Sequence, residues 1–260
     1  KQERTFGITS DPLAMFACVF AALIHDAGHP GVPNMQLVRE GGPLIAKYDS
    51  RSVAEQVSVN LAWNLFLTKP YQTLRETICA TPNELSHFRQ LVVNLVMATD
   101  IMDRDFNQRR EKRWERAFEP SIEVNNVDDT AYHNASDVSP RKEINRKATI
   151  VIEHLIQVSD IVHTMQHWHV YRKWNERLFE EMLKAYEMGR ASKDPSEFWY
   201  QGEMDFFDKH VIPLAKKLKQ CGVFGVSSDE YLNYALENRQ EWELKGKQVV
   251  EEMVIRLKNH

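Results

Sequence analysis

Cysteine is the first scarcity. Cys18, Cys79 and Cys221 are the only three among 260 residues, widely spaced and odd in number. That argues against a disulfide framework and for a reducing, cytoplasmic setting. Long apolar runs are missing too. The stretch from Leu13 to Ile24 is too short to span a bilayer and reads as a buried helix, so this segment is not expected to insert into a membrane. No signal peptide is visible. Neither sign of charge dominates. The formal net charge is -4, and the densest basic run, Arg109-Arg110-Glu111-Lys112-Arg113, is broken by an acid and reads as a solvated helix face. This balance argues against a nucleic-acid partner. Strand signals are few, and neither tandem repeats nor low-complexity segments occur.

Helical grammar fills the rest. Asp11 followed by Pro12 is an N-cap with proline at the first helical position. Ser52 with Glu55, and Thr81 with Glu84, are capping-box pairs ahead of apolar residues at helical spacing. Ile144 to Asp160 and Val170 to Gly189 read as helices. So does the stretch around Phe206 to Leu214, with Pro213 expected to bend it, and Ser227-Ser228-Asp229 caps a last helical region. The expected fold is all-α and compact, and the hydrophobic fraction of 43% is enough for one large core. Residues 119–141, rich in Asn, Asp and Pro, are expected to form a long internal loop of a single domain covering 1–260. Trp242, Val249, Val250 and Met253 give the last helix an apolar face that packs either on this domain or on a second chain, so a homodimer is left open.

One stretch departs from ordinary core grammar. The apolar run ends in His25-Asp26, and His29 follows one turn later. An imidazole beside a carboxylate at the end of a buried element must be satisfied, and such pairs suit divalent ions. Pro30, Gly31 and Pro33 then break the helix. A second acid, Asp160, ends another apolar segment far downstream. Taken singly, each has a plain structural alternative: a hydrogen-bonded core histidine for His25, a helix cap for Asp160, a capping box for Glu55, an exposed helix end for Asp100.

The order of these motifs resembles the catalytic domain of the class I cyclic nucleotide phosphodiesterases, within the HD-type metal hydrolases. His25-Asp26-Ala27-Gly28-His29-Pro30-Gly31 with Asn34 is similar to that family's His-Asp-x-x-His-Pro-Gly-x-x-Asn. Ser52-Val53-Ala54-Glu55, Ala98-Thr99-Asp100, Ser159-Asp160, Tyr171-Arg172-Lys173-Trp174, Phe206 with Pro213-Leu214, and Asn238-Arg239-x-x-Trp242 follow in the family's order. The resemblance implies hydrolysis of a 3′,5′-cyclic nucleotide to the 5′-monophosphate. It implies that His25, Asp26 and Asp160 bind a tight ion, usually Zn²⁺, and that Asp26 bridges to a second, usually Mg²⁺, with Mn²⁺ an alternative there. His29, Glu55 and Asp100 would orient the waters on those ions. Leu178 and Phe206 would clamp the purine, with His163, Trp174 and Glu203 completing its pocket.

Departures from the pattern qualify that expectation. The upstream Tyr-His-Asn-x-x-His-Ala motif, which supplies a proton donor and another zinc ligand, is absent, so the domain is expected to lack its N-terminal helices and to belong to a larger regulated protein, membrane-tethered or not. Tyr132-His133-Asn134 mimics that motif only superficially. Gln56-Val57-Ser58 replaces Asn-His-His, and His163 replaces an asparagine. Glu203 replaces the glutamine that reads the purine edge. A carboxylate only accepts, whereas guanine offers adjacent N1 and N2 donors, so Glu203 favours cGMP over cAMP. A side chain directed into solvent is the competing placement. A cyclic-nucleotide-binding protein without catalysis, and another HD-type phosphohydrolase, stay open as alternatives.

Overall fold

Local rules start the first helix as read from the sequence. Asp11 accepts from the Ala14 amide at 3.0 Å, and Pro12 occupies the first turn of α1 (Pro12–Ile24). A computed structural model describes residues 5–118 and 140–258, and no strand occurs among them. After α1 come α2 (Asn34–Glu40), α3 (Pro43–Lys47), α4 (Val53–Phe66), α5 (Gln72–Ile78), α6 (Pro82–Thr99) and α7 (Arg104–Phe118). They are followed by α8 (Pro140–Ile161), α9 (Trp168–Glu187), α10 (Trp199–Phe206), α11 (Ile212–Cys221) and α12 (Ser227–Lys258). The loop expected over 119–141 lies outside the described residues except for its last two, which begin α8. The Tyr132-His133-Asn134 stretch lies outside them altogether.

The capping box of Thr81 and Glu84 forms in both directions, with Glu84 N donating to Thr81 Oγ1 at 3.2 Å and Thr81 N to Glu84 Oε2 at 3.0 Å. The box read at Ser52 does not form. Ser52 sits in the left-handed region at φ 39° with no capping bond, and its hydroxyl donates instead to Asp100 Oδ2 at 2.7 Å. The left-handed backbone at Ser52 and the pull of a tertiary carboxylate on its hydroxyl replace the local cap.

Helix α1 is not buried all round, contrary to the reading of its apolar run. Ala14, Ala17, Ala21 and Ile24 are buried, whereas Met15 and Val19 are exposed and Leu23 is 80% exposed. The buried stripe is mostly alanine, so α6 can approach closely. Phe88 of α6 is fully buried there, with Phe16, Phe20, Trp63 and Phe66 at centroid distances from 5.6 to 6.1 Å. Burying such a ring contributes roughly 2–3 kcal/mol by transfer alone.

A second core joins α9, α10, α11 and α12. Trp242 is fully buried and its Nε1 donates to Tyr200 O at 3.0 Å. Asn238 donates to Thr164 O at 2.9 Å and Gln166 O at 2.6 Å, tying α12 to the turn Val162–Met165. The apolar face of α12 thus packs on its own domain through Val249, Val250 and Met253. A smaller cluster gathers Trp114, Ile150, Val151 and Cys221. Helix α8 serves all three: Val158 and Ile161 face the α12 core, Ile152 and Ile156 the α1 core, Ile150 and Val151 the small cluster.

The bend expected at Pro213 takes another form. A π-helical turn, Phe207–Val211, joins α10 to α11 without a break, and Pro213 lies just after it in the first turn of α11, so the missing amide is accommodated by a local change of helix type.

Candidate active site

Helix α1 delivers His25 and Asp26 to its C-terminal end, and α8 delivers Asp160 to meet them. His25 Nδ1 donates to Ala22 O at 2.8 Å, one turn back in α1. That leaves Nε2 facing the new partners, 3.2 Å from Asp160 Oδ1 and 3.3 Å from Asp26 Oδ2. The bond to Asp160, then that to Asp26, push the imidazole up to about 11. The same contact with His25 holds Asp26 below the usual carboxylate range. Without an ion, a proton on His25 links the two acids.

The donor types suit a divalent cation, and the two separations from His25 are compatible with a shared ion. Ligand atoms at ~2.0–2.2 Å from one ion lie about 3.0–3.5 Å from each other, and both N···O separations fall in that range. The set is nevertheless partial. Among the described residues, no group of three or more His, Cys, Asp or Glu side chains is disposed to hold an ion on its own.

A second polar cluster adjoins the first. Asp100, only 6% exposed, ends α6. Its Oδ1 accepts from the amides of Met102 (3.0 Å) and Asp103 (3.2 Å), and its Oδ2 accepts from Ser52 Oγ (2.7 Å) and Asn34 Nδ2 (3.4 Å). The exposed-end alternative for Asp100 therefore fails. Asn34 Nδ2 also donates to Glu55 Oε2 at 2.8 Å, while Asn34 Oδ1 accepts from the Ala54 amide at 2.9 Å. Burial pushes the Glu55 carboxyl above its ordinary value, and the charge of Asp100 adds to the effect. Asn34 closed the sequence motif but was not assigned a part in the site. Its position three residues after Gly31, at the start of α2, was the available signal.

The purine-side residues divide. Trp174 and Leu178, one turn apart on α9, are 46% and 49% exposed, so they are not a core stripe. The Trp174 ring lies 6.0 Å from His163, and the Arg177 guanidinium sits 5.0 Å over it. Burial lowers the His163 imidazole, so its neutral form is favoured. Phe206 is half-buried, with its ring 5.7 Å from His210. Glu203 does not point into solvent. Tyr171 donates to its Oε2 at 2.7 Å, and Trp199 Nε1 donates to Asn175 Oδ1 at 3.1 Å behind them. Burial raises the Glu203 carboxyl to about 7, against the hydrogen bonds of Tyr171 and Asn175. A cavity of about 430 Å³ lined by Met97, Phe106, Arg109, Arg110, Arg113 and Glu153 contains none of the residues assigned from sequence.

Residues 2–223 match the sequence family described as 3′5′-cyclic nucleotide phosphodiesterase. The chain belongs to this family. A family relative, the probable 3′,5′-cyclic phosphodiesterase pde-3 of Caenorhabditis elegans, is 26% identical over 242 residues, covering 88% of this chain and 32% of that protein. The human cGMP-inhibited 3′,5′-cyclic phosphodiesterase 3A is 36% identical over 110 residues, 38% of this chain and 9% of its own length. The chain thus spans a third or less of either relative. Among solved structures, the phosphodiesterase domain of the Salpingoeca rosetta rhodopsin phosphodiesterase superposes with a TM-score of 0.70 at 20% identity, covering 94% of this chain and 70% of that one. That likeness establishes the all-α phosphodiesterase fold. No described helix is long and apolar enough to cross a membrane.

Proposed function

We propose that this domain hydrolyses a 3′,5′-cyclic nucleotide to the 5′-monophosphate with divalent metal, cGMP in preference to cAMP. The observation that carries the reading is the convergence at His25 Nε2 of two carboxylates, one adjacent in sequence and one from α8. With Nδ1 committed to Ala22, that nitrogen is the one offered to an ion. His25, Asp26 and Asp160 would hold Zn²⁺, and Asp26 would also reach Mg²⁺ or Mn²⁺. Bound there, the ions supply Lewis acidity and lower the pKa of water.

The chain's own residues do the rest. His29, Glu55 and Asp100 orient water and phosphate through fixed hydrogen bonds, and Asn34 keeps Glu55 and Asp100 apart while bonding to both. Trp174, Leu178 and Phe206 supply apolar contact for the purine, with His163 beside Trp174. Glu203 accepts from guanine's N1 and N2 donors. The domain works as part of a larger regulated protein, alone or as a homodimer.

The test is hydrolysis of cGMP and cAMP by the full-length protein with Mg²⁺ and trace Zn²⁺. Turnover that vanishes in His25→Ala is expected. A folded His25→Ala protein that keeps wild-type turnover would sink the proposal.

A further inference from the structure

Arg190 lies outside every motif read from the sequence, in the loop after α9. Its Nε and Nη2 donate to the two carboxylate oxygens of Glu40, at the end of α2, at 3.0 and 2.9 Å. Its remaining terminal nitrogen, Nη1, donates to Pro30 O at 3.0 Å. A two-pronged grip on a carboxylate fixes the plane of a guanidinium, and so fixes where its third donor points.

That third donor meets the peptide unit between Pro30 and Gly31. The amide of this same unit, Gly31 N, donates to His29 Nδ1 at 3.2 Å. A trans peptide is planar and rigid, with its C=O and N–H directed to opposite sides. Holding the oxygen therefore holds the N–H. A cation on the carbonyl also polarises the unit and strengthens the bond that its N–H makes. Gly31 is at φ 71°, a backbone shape that a side chain strains, and a Cβ there would lie 3.3 Å from Glu181 Oε1. The peptide is thus held by Arg190 at its oxygen and by His29 at its amide, with no room for a side chain at Gly31.

We infer that Arg190 is a positioning residue for His29: through the Pro30–Gly31 peptide it makes Nδ1 the accepting nitrogen, and so keeps the ring proton on Nε2. An imidazole that accepts at Nδ1 carries its hydrogen on Nε2. Free of that bond, the ring can rotate or exchange tautomers.

The relevance to turnover rests on the proposed function, but the tautomer does not, so one experiment separates them. In the full chain labelled with ¹⁵N-histidine, two-bond ¹H–¹⁵N correlation reports which ring nitrogen carries the proton, and the His29 signals are assigned by their loss in His29→Gln. The wild type is expected to show a single Nε2–H pattern. Arg190→Ala should average the two tautomers and lower kcat for the cyclic nucleotide by about tenfold, with KM little changed. Arg190→Lys, which keeps a cation in reach of Pro30 O, should restore the single pattern. A wild-type His29 pattern in Arg190→Ala overturns the relay, whatever the turnover. Averaging in Arg190→Lys equal to that in Arg190→Ala also overturns it, by assigning the effect to the grip on Glu40 rather than to the carbonyl. A shifted His29 pattern in a protein that hydrolyses neither nucleotide upholds the relay and removes the proposed function.

Discussion

His25 Nε2 and Asp160 Oδ1 lie 3.2 Å apart although 135 residues separate them. With no ion, this contact and the one to Asp26 raise the imidazole from 6.5 to about 11. A group whose pKa rises on folding stabilises the fold fully below its unfolded value, and that contribution is lost as pH climbs through the folded value. Protein kept in chelator should therefore melt at progressively lower temperature as pH rises from 6.5 toward 11. Asp160→Asn should flatten that slope. Metal should bind more tightly as pH rises, because the ion displaces the His25 proton. Thermal melts with and without chelator read both trends; a slope unchanged in Asp160→Asn would contradict the first.

Asn34 satisfies three partners with one amide group. Truncation leaves the Ala54 amide without its acceptor and two acids without a shared donor. Asn34→Ala is expected to cost about 1–3 kcal/mol of stability in a denaturant titration. Turnover should fall by roughly 10–100-fold, as for groups that support metal ligands.

Glu203 provides a pH-dependent readout of purine choice. Its carboxyl titrates at about 7, so the ionised, accept-only form predominates above that value and the neutral acid below it. The ratio of kcat/KM for cGMP over cAMP should climb severalfold between about pH 6 and about pH 8. Taking a ratio cancels groups that serve both substrates. Glu203→Gln, which does not titrate, should give a ratio independent of pH and less biased toward cGMP.

His154 sits on α8 with Nε2 donating to Leu214 O at 3.1 Å and its ring 4.8 Å from Trp114. Burial, helped by the Lys217 charge, lowers it to about 3. Here the sign is opposite to that of His25. The unfolded chain binds the extra proton between about 3 and 6.5, so stability is full above 6.5 and falls as pH drops through that window, by about 1.4 kcal/mol per pH unit at most. His154→Gln should make urea midpoints less sensitive to acid over that range; an acid limb as steep as the wild type's would count against it.

Legibility in the sequence followed the range of the interaction. Asp11 and the Thr81–Glu84 pair act within one turn, and both caps formed as read. Ser52 carried the same signature but went to Asp100, 48 positions away, which no local rule can anticipate. The apolar run of α1 announced a helix but not which face would stay outside. Only the packing of its alanine stripe on α6 decided that Leu23 would be exposed. At the site, motif order singled out His25, Asp26 and Asp160, whose clustering is visible in the fold. Arg190 escaped because its partners, Glu40 and the Pro30 carbonyl, lie 150 and 160 positions away and one of them is backbone, which carries no residue signature.

Helix α8 lends side chains to all three apolar clusters and carries Asp160 in its last turn. It behaves as a party wall between two rooms: neither half of the domain can be enclosed while the other stands open. Cutting the chain into separately folding halves should fail at this helix. An ion gripping His25 and Asp160 would rivet that wall to α1, so a local chemical event at one side chain pair would be felt as rigidity throughout the domain.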